Sequence, residues 1–527
     1  MIEINLRAPK LPWLTYFQDS QENSFMRNAL PKWTGATVLA LALLAHANAV
    51  HAVHDASNDE NLTRRYFANL VSGSEPKLAE LTQFFTMMPK GADLHHHYSG
   101  AIYAEQYLDW AEREHYCIDK TSYRIVTERA KVEVEAARPA AERQCLSVPE
   151  IVRDETVYRA LLQRWSDKDF ANHGALQSPP DQQFFDTFGY FGAVSSLNHS
   201  EGLQLLKRRA QQENLMYIET IFEMPPFLAD ADFDARAGLP GTDREALFAA
   251  MAGTLKQNAA FNGKIDAYVA DVAAANAGID DASFTMRYQT FVLRLLPPSD
   301  VFSSMVAAFE AASRSKLVVG VNIVGAENDY VAMRDYTLHM QMFRFLKARY
   351  PKVKVALHAG ELALGMVPPE GLTFHIREAI DIGGADRIGH GIDLAHETDS
   401  IGIMREMRER HIPVEINLSS NAFILGVKDQ EHPVTLYRKY GVPFVLATDD
   451  PGVSRNNLSG EYVLFASRYR PDYAEVKRLS YDGLRYAFLP EEDKRRLTKQ
   501  LDLRFAKFEA QIAALARNVD GKATRKP

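Results

Sequence analysis

The chain has only two cysteines among its 527 residues and no excess of positive charge. Because the two cysteines do not have the Cys-x-x-Cys spacing, they cannot form a Pro-Cys-x-x-Cys zinc site. The net charge of −8 at pH 7 argues against a nucleic-acid partner, so we expect a small-molecule substrate. The sequence also lacks the G-x-S-x-G, H-E-x-x-H and Walker motifs, which removes the usual signatures of serine hydrolases, zinc metalloproteases and P-loop NTPases.

The chain also has no apolar run long enough for a comfortable transmembrane helix. Its apolar segment at 36–45 follows basic residues and precedes small-x-small sites at 45–49, the order of features in a secretory signal peptide. We therefore predict a signal peptide within 26–52, a natural start at Met26 with 1–25 as an extension, and a periplasmic or secreted protein. No stable membrane insertion is expected after cleavage.

The rest of the chain has an ordinary globular composition, with 46% hydrophobic and 24% charged residues. It is long enough for a barrel of about 250 residues with additions. We divide the chain into four parts. They are an N-terminal extension with signal peptide (1–52), a helical segment (53–90), a barrel (91–495) with an insertion at about 101–180, and a C-terminal helix with tail (496–527).

The predicted insertion contains both cysteines, Cys117 and Cys145. In an exported protein such a pair can form one disulfide, whereas in a cytosolic protein the two residues would be separate thiols. Predicted export favours the disulfide.

Eight apolar, β-rich runs alternate with helical stretches along the chain. This alternation predicts a parallel α/β fold, and eight such units predict a (β/α)₈ TIM barrel. The runs are 93–97, 215–221, 288–295, 317–324, 353–357, 387–389, 412–418 and 443–447.

Polar residues that can bind metal or transfer protons follow several of these runs. In a TIM barrel the carboxyl ends of the strands form the face that holds the active site, so these residues should converge there. Along the first strand His95 and His97 share one side, and His96 faces the other and packs behind the strand. The converging residues are His95, His97, His358, Glu361, His390, Asp449 and Asp450.

Three neutral imidazoles and one carboxylate, from His95, His97, His358 and Asp449, form a donor set that suits Zn²⁺ and leaves a position for water. Zinc lowers the pKa of such a water towards about 7. Glu361 and His390 are then the natural proton-handling pair. We expect one zinc ion per subunit.

Six motifs together resemble the adenosine deaminase family. The additions around the barrel resemble its secreted, growth-factor-related branch. The resemblance implies a (β/α)₈ amidohydrolase that hydrolyses the 6-amino group of adenosine or 2′-deoxyadenosine, giving the inosine product and ammonia. The motifs are MPKGADLHHHYSGAI (88–102), VVGVNIVGAEND (318–329), LHAGE (357–361), RIGHGIDL (387–394), NLSSN (417–421) and TDDPG (448–452).

The resemblance also assigns roles to site residues. It implies that Glu361 protonates N1 of the purine, and that His390 orients the attacking hydroxide and takes its proton. Asp450 would fix N7, and the Gly325 amide would face N3. Ser99 stands where family members often carry an aspartate that holds the ribose, so it is the expected point of altered sugar specificity.

The sequence leaves alternative functions open. The enzyme could act on another 6-aminopurine, namely adenine, AMP or an N6-substituted purine. A non-catalytic nucleoside-binding or signalling protein could also keep the same fold. The helical additions could form a homodimer, since two-fold dimers are the commonest oligomers.

Overall fold

The computed structural model describes residues 58–170 and 178–523. The expected signal peptide, its cleavage sites and the alternative start all lie outside these residues. Within the described ranges, no helix combines the length and the apolar character needed to cross a bilayer.

Eight parallel strands form one sheet that curves into a barrel. Each strand pairs with the next one in the sequence of barrel strands, and the connections between them carry helices. The barrel strands are β1 (Lys90–His97), β5 (Leu215–Ile221), β6 (Thr285–Leu293), β7 (Val318–Val324), β8 (Lys354–Ala359), β9 (Arg387–His390), β10 (Val414–Ile416) and β11 (Phe444–Leu446).

The ring closes between β1 and the segment directly after β11. The amide of His97 donates to the carbonyl of Asp449 at 2.8 Å, and the amide of Asp449 donates to the carbonyl of His95 at 2.8 Å. The eight-stranded parallel barrel predicted from the alternating pattern is therefore confirmed. Closure also places two candidate metal ligands of β1 directly beside a third at Asp449.

The predicted runs match the barrel strands in order but differ at their ends. The run at 412–418 contains only a three-residue strand, because Leu418 already begins a helix. The first strand starts earlier than expected, at Lys90, and its pairing with β5 shifts register between Asp93 and His96. A bulge of this kind changes which face the following side chains occupy.

Helices surround the barrel and bury its outer face. α13 is the most enclosed, with aliphatic and aromatic residues buried along almost its whole length. The helices that follow β5 and later barrel strands are α10 (Ala231–Ala237), α11 (Arg244–Gln257), α12 (Ala259–Ala275), α13 (Pro298–Arg314), α14 (Tyr330–Arg349), α15 (His375–Asp381), α16 (Ser400–Arg410), α17 (Leu418–Ile424), α18 (Val434–Tyr440), α19 (Leu458–Tyr469) and α20 (Tyr473–Tyr486).

A small antiparallel sheet lies in the connection between β1 and β5. The Cys117–Cys145 disulfide joins two of its paired strands, with the Cα atoms 5.5 Å apart. The elements of this connection are α3 (Tyr98–Ala101), α4 (Ala104–Arg113), β2 (Cys117–Asp119), β3 (Ile125–Val126), α5 (Arg129–Ala137), β4 (Cys145–Ser147), α6 (Val148–Arg153), α7 (Glu155–Arg164), α8 (Pro180–Ser195) and α9 (His199–Gln212).

Helices before and after the barrel pack against each other through aromatic rings. The described residues begin with α1 (58–71) and α2 (Leu78–Met87) and end with α21 (Glu491–Ala523). The ring centroids of Phe84 and Phe508 are 5.1 Å apart, which joins α2 to α21. The helices before and after the barrel are thus joined by an aromatic contact.

Candidate active site

Four predicted ligands meet at the carboxyl ends of the barrel strands. His95 and His97 lie on β1, His358 lies on β8, and Asp449 follows β11. One ligand atom from each of these side chains lies within 4.8 Å of those from the others. Nε2 of His97 is 3.2 Å from both Nε2 of His358 and Oδ1 of Asp449. Residues more than 350 positions apart therefore form one compact cluster.

The donor set fits a metal cation. Nε2 of His95 is buried, makes no hydrogen bond within the described residues, and lies 3.3 Å from Oδ1 of Asp449. Burial lowers the pKa of His95, but the adjacent carboxylates of Asp449 and Glu415 outweigh it and raise this pKa to about 10. A positive charge is thus favoured between the two carboxylates, and a divalent cation would supply it.

Three of the four ligand side chains are held in place by residues outside the cluster. Oε2 of Glu415 is 2.7 Å from Nδ1 of His95, and Oδ1 of Asn322 is 2.8 Å from Nδ1 of His358. The hydroxyl of Ser420 donates to Oδ2 of Asp449 at 2.6 Å. Such partners hold the Nε2 atoms toward a common point, as in known histidine–metal sites.

His390 lies at the end of β9, and Glu361 lies in the turn after β8. Nδ1 of His390 is 3.6 Å from Oε1 of Glu361, and the buried Nε2 of His390 has no hydrogen-bond partner among the described residues. Burial lowers the pKa of His390 to about 3. Burial, followed by the charges of Asp449 and Glu327, raises the pKa of Glu361 well above its usual range. At neutral pH the pair is a neutral imidazole beside a protonated carboxyl.

Asp450 is also buried, and its carboxyl packs against Gly100. A Cβ atom at Gly100 would lie 1.6 Å from Oδ1 of Asp450, so this contact requires glycine. Burial and the adjacent charge of Asp449 raise the pKa of Asp450 well above its usual range. The neutral carboxyl can therefore donate a hydrogen bond.

Two further predicted residues lie after strands of the same barrel, Gly325 in a loop and Ser99 in the short helix α3. Gly325 directly follows β7 with φ of +106°, a backbone conformation that favours glycine. Ser99 lies two residues after His97, is half-buried, and its carbonyl accepts a hydrogen bond from the hydroxyl of Tyr107 at 2.7 Å. His96 is buried on the other side of β1, with Nδ1 3.1 Å from the hydroxyl of Thr220.

Two site residues adopt left-handed backbone conformations. His390 has φ of +67° and Asp449 has φ of +60°. Such values are costly for residues other than glycine and are common where a side chain must be aimed into a site. His390 is the last residue of β9, and Asp449 follows the end of β11.

The motif search did not find the supporting residues. Glu415 and Asn322 are buried in β10 and β7, whose other residues are mostly apolar. A charged or amide side chain inside a buried strand needs a partner, and this is the signal that could have found them.

Part of the chain is similar to known proteins. A protein-family model described as "Adenosine deaminase" matches residues 257–503. An adenosine deaminase of Clostridium acetobutylicum is 32% identical over 193 residues, 36% of this chain and 53% of the relative. An adenosine deaminase of Serratia proteamaculans is 27% identical over 254 residues, 42% of this chain and 72% of the relative.

A solved structure described as an arabidopsis N6-mAMP deaminase superposes with a TM-score of 0.50 and 17% identity, covering 80% of this chain and 99% of that one. This likeness concerns the fold. The chain spans about half the length of several curated relatives that it matches.

The matched residues include the strand ends that carry the ligands His358 and Asp449 and the proton-handling residue His390. The family match, the adenosine deaminase relatives and the barrel agree with the resemblance carried by the six motifs. The match of residues 257–503 and the similar relatives identify the adenosine deaminase family as the one that this chain resembles.

Proposed function

We propose that the protein hydrolyses the 6-amino group of adenosine or 2′-deoxyadenosine, using one Zn²⁺ ion per subunit. The observation that carries this proposal is the proton-handling pair beside the ligand cluster. A protonated Glu361 and a neutral His390 lie 3.6 Å apart at the edge of four metal-competent side chains. Hydrolysis at an aromatic ring carbon needs such an acid and such a base together.

In the reaction, the oxygen of water attaches to C6 of the purine and the C6–N6 bond breaks to release ammonia. When bound to the four ligands, Zn²⁺ would make a water molecule acidic enough to attack at neutral pH. His390 takes one proton of the attacking water, because burial keeps its imidazole neutral, and this proton leaves with the amino group as ammonia. The second proton of the water replaces the one that Glu361 gives up. Glu361 delivers its proton to N1, which draws electrons away from C6.

Two further groups orient the base. The neutral carboxyl of Asp450 donates a hydrogen bond to N7, which is an acceptor in adenine. The amide of Gly325, at the start of the loop after β7, faces N3. Contacts at N1, N3 and N7 select a purine ring and hold C6 at the ligand cluster.

The direct test is the loss of adenosine absorbance with purified mature protein, with and without a chelator followed by added zinc. Glu361→Gln keeps the shape of the side chain but cannot donate a carboxyl proton, so we expect turnover to fall by about 10²–10⁴-fold. Zinc-dependent turnover that the substitution removes supports the proposal. No turnover of any purine by zinc-loaded protein contradicts it and favours a binding role.

A second candidate substrate class is a different 6-aminopurine: adenine, AMP or an N6-substituted purine. The observation that favours it is Ser99, a short neutral side chain where family members often have an acidic residue. The structurally similar arabidopsis protein is named an N6-mAMP deaminase, and this name supports including N6-substituted purines among the candidates. Parallel assays with adenosine, 2′-deoxyadenosine, adenine, AMP and N6-methyl-AMP rank the candidates. Ser99→Asp should raise the preference for the nucleosides if Ser99 faces the sugar.

We also propose that the protein is exported to the periplasm or the medium, and that it forms a homodimer. Expression from Met26 followed by N-terminal sequencing should find a mature chain that begins within or just after 45–49. An uncleaved chain retained in the cytoplasm contradicts export. Light scattering on the mature protein tests the dimer.

A further inference from the structure

A buried carboxylate holds the backbone of the turn that carries Glu361. Glu327, three residues after β7, is 1% exposed. Its two oxygens accept hydrogen bonds from consecutive backbone amides, Gly360 at 3.0 Å and Glu361 at 2.9 Å. Bonds from amides to an ionised carboxylate are shorter and stronger than neutral ones, so this pair fixes the orientation of the Gly360–Glu361 peptide.

The charge of Glu327 is balanced by two buried groups. Nη1 of Arg294 lies 3.6 Å from Oε2 of Glu327, and Nδ1 of His375 lies 2.5 Å from Oε1. Burial raises the pKa of Glu327, but Arg294 and His375 outweigh it and hold this pKa at about 2. The carboxylate therefore stays ionised and keeps accepting both amides.

Arg294 connects this carboxylate to the metal-ligand end of the same turn. Its Nη2 donates to the carbonyl of His358 at 2.8 Å and to the carbonyl of Ile323 at 3.3 Å. The side chain of Arg294 is 1% exposed, so its charge has no water to stabilise it. One buried ion pair thus contacts the backbone at both ends of residues 358–361.

The opposite side of the turn is held as well. The carbonyl of Gly360 accepts hydrogen bonds from the backbone amides of Ile392 at 2.8 Å and Asp393 at 3.1 Å. Gly360 has φ of +74°, and a Cβ atom there would lie 2.3 Å from Oδ1 of Asp393. The peptide before Glu361 is therefore bonded on both of its edges, and the turn has no room to relax.

We propose that Glu327, with Arg294 as its charge partner, is the positioning residue for the proton donor Glu361. This inference rests on the proposed function, which makes Glu361 the proton donor. It adds that Glu327, a residue outside the site, holds Glu361 in position. Glu327 acts through the backbone of 360–361 and does not touch the purine. A displacement of about 1 Å in a catalytic group can lower the rate about 100-fold, so loss of the Glu327 contacts could lower kcat by a similar factor.

The test compares Glu327→Gln with Glu213→Gln in zinc-loaded protein. Glu213 is a matched control, because it is a buried glutamate that accepts the amide of Ser459 at 2.8 Å and its hydroxyl at 2.9 Å on another part of the fold. We expect Glu327→Gln to lower kcat by about 10–100-fold with KM within about threefold and bound zinc unchanged. Glu213→Gln should leave kcat within about twofold.

A milder variant covers the case in which Glu327→Gln does not fold. Glu327→Asp keeps the charge but is one methylene shorter, so it can hold only one of the two amides well. Its kcat should fall between the wild type and Glu327→Gln. Equal kcat for all three proteins, or a loss of kcat matched by Glu213→Gln, overturns the positioning role.

Amide hydrogen exchange at Gly360 and Glu361 gives a readout that does not depend on turnover. In Glu327→Asp these two amides should exchange at least about tenfold faster, while amides of β6 keep their wild-type rates. If the wild type turns over no purine, the proposed function fails, and the exchange rates still test the bonds to Glu327. Unchanged protection at Gly360 and Glu361 overturns the inference even if the wild type is active.

Discussion

Oε2 of Glu415 lies 2.7 Å from Nδ1 of His95, while Oε1 of the same carboxylate lies 2.5 Å from Nε of Arg387. All three side chains are buried. The carboxylate thus fixes the tautomer of His95, so that Nε2 faces the ligand cluster, and Arg387 keeps the carboxylate ionised.

From this contact we predict that Glu415→Gln weakens zinc binding by about 10–100-fold. The amide is a poorer acceptor for the His95 ring and does not raise its basicity. Competition with a chromogenic chelator measures the affinity. The matched control is Glu219→Gln. Oε2 of Glu219 lies 2.6 Å from Nη2 of Arg387, so this variant removes the second carboxylate that pairs with Arg387 and leaves the Glu415–His95 contact in place. Equal zinc affinity in both variants would show that the Glu415–His95 contact is unimportant.

The contact between Gly100 and Asp450 predicts that no side chain larger than that of glycine fits at position 100. A methyl group at position 100 would overlap the Asp450 carboxyl and push it out of place. We expect Gly100→Ala to lower kcat/KM at least about tenfold, measured with adenosine at saturating zinc. In the control Gly253→Ala, in α11, a Cβ meets no atom within 4 Å, so activity should stay unchanged and stability should rise by about 0.5–1 kcal/mol. Full activity of Gly100→Ala would contradict the prediction.

The two proton-handling groups predict the form of the pH profile. His390 must be neutral to take a proton, and burial lowers its pKa to about 3, so it supports activity above that pH. Glu361 must be protonated, and its raised pKa keeps the proton through neutral pH, with activity lost as pH rises above that pKa. We therefore expect kcat with zinc-saturated protein to be level from about pH 5 to 7 and to fall on the alkaline side. An alkaline fall in the residual activity of Glu361→Gln at the same pH would exclude Glu361 as its source.

The disulfide predicts a stability effect separate from catalysis. Cys117 and Cys145 close a loop with a sequence separation of 28. Loop-closure entropy for that length corresponds to about 3–4 kcal/mol, so the double variant Cys117→Ser/Cys145→Ser should unfold at lower temperature. Calorimetry of the variant and of wild type under reducing conditions should agree, and kcat should not change. An unchanged unfolding temperature would show that the small sheet is stable without the bond.

Much of the site could be predicted because barrel topology converts sequence order into position. Once His358, His390 and Asp449 are each placed at a strand end, parallel strands bring them to one face whatever the length of the connections. The order of the eight strands followed from alternating apolar runs for the same reason. The ends of short strands were less certain, as at Leu418, where a helix begins inside an apolar run.

The sequence by itself determined the barrel and the residues that meet at the strand ends. Tertiary structure alone decided how those residues are held. Glu415 contacts a histidine 320 positions away, and Glu327 contacts amides 33 and 34 positions away. Such contacts depend on strand register, on the bulge in β1 and on left-handed turns at His390 and Asp449. These are properties of the packed backbone, and no local pattern of residues encodes them.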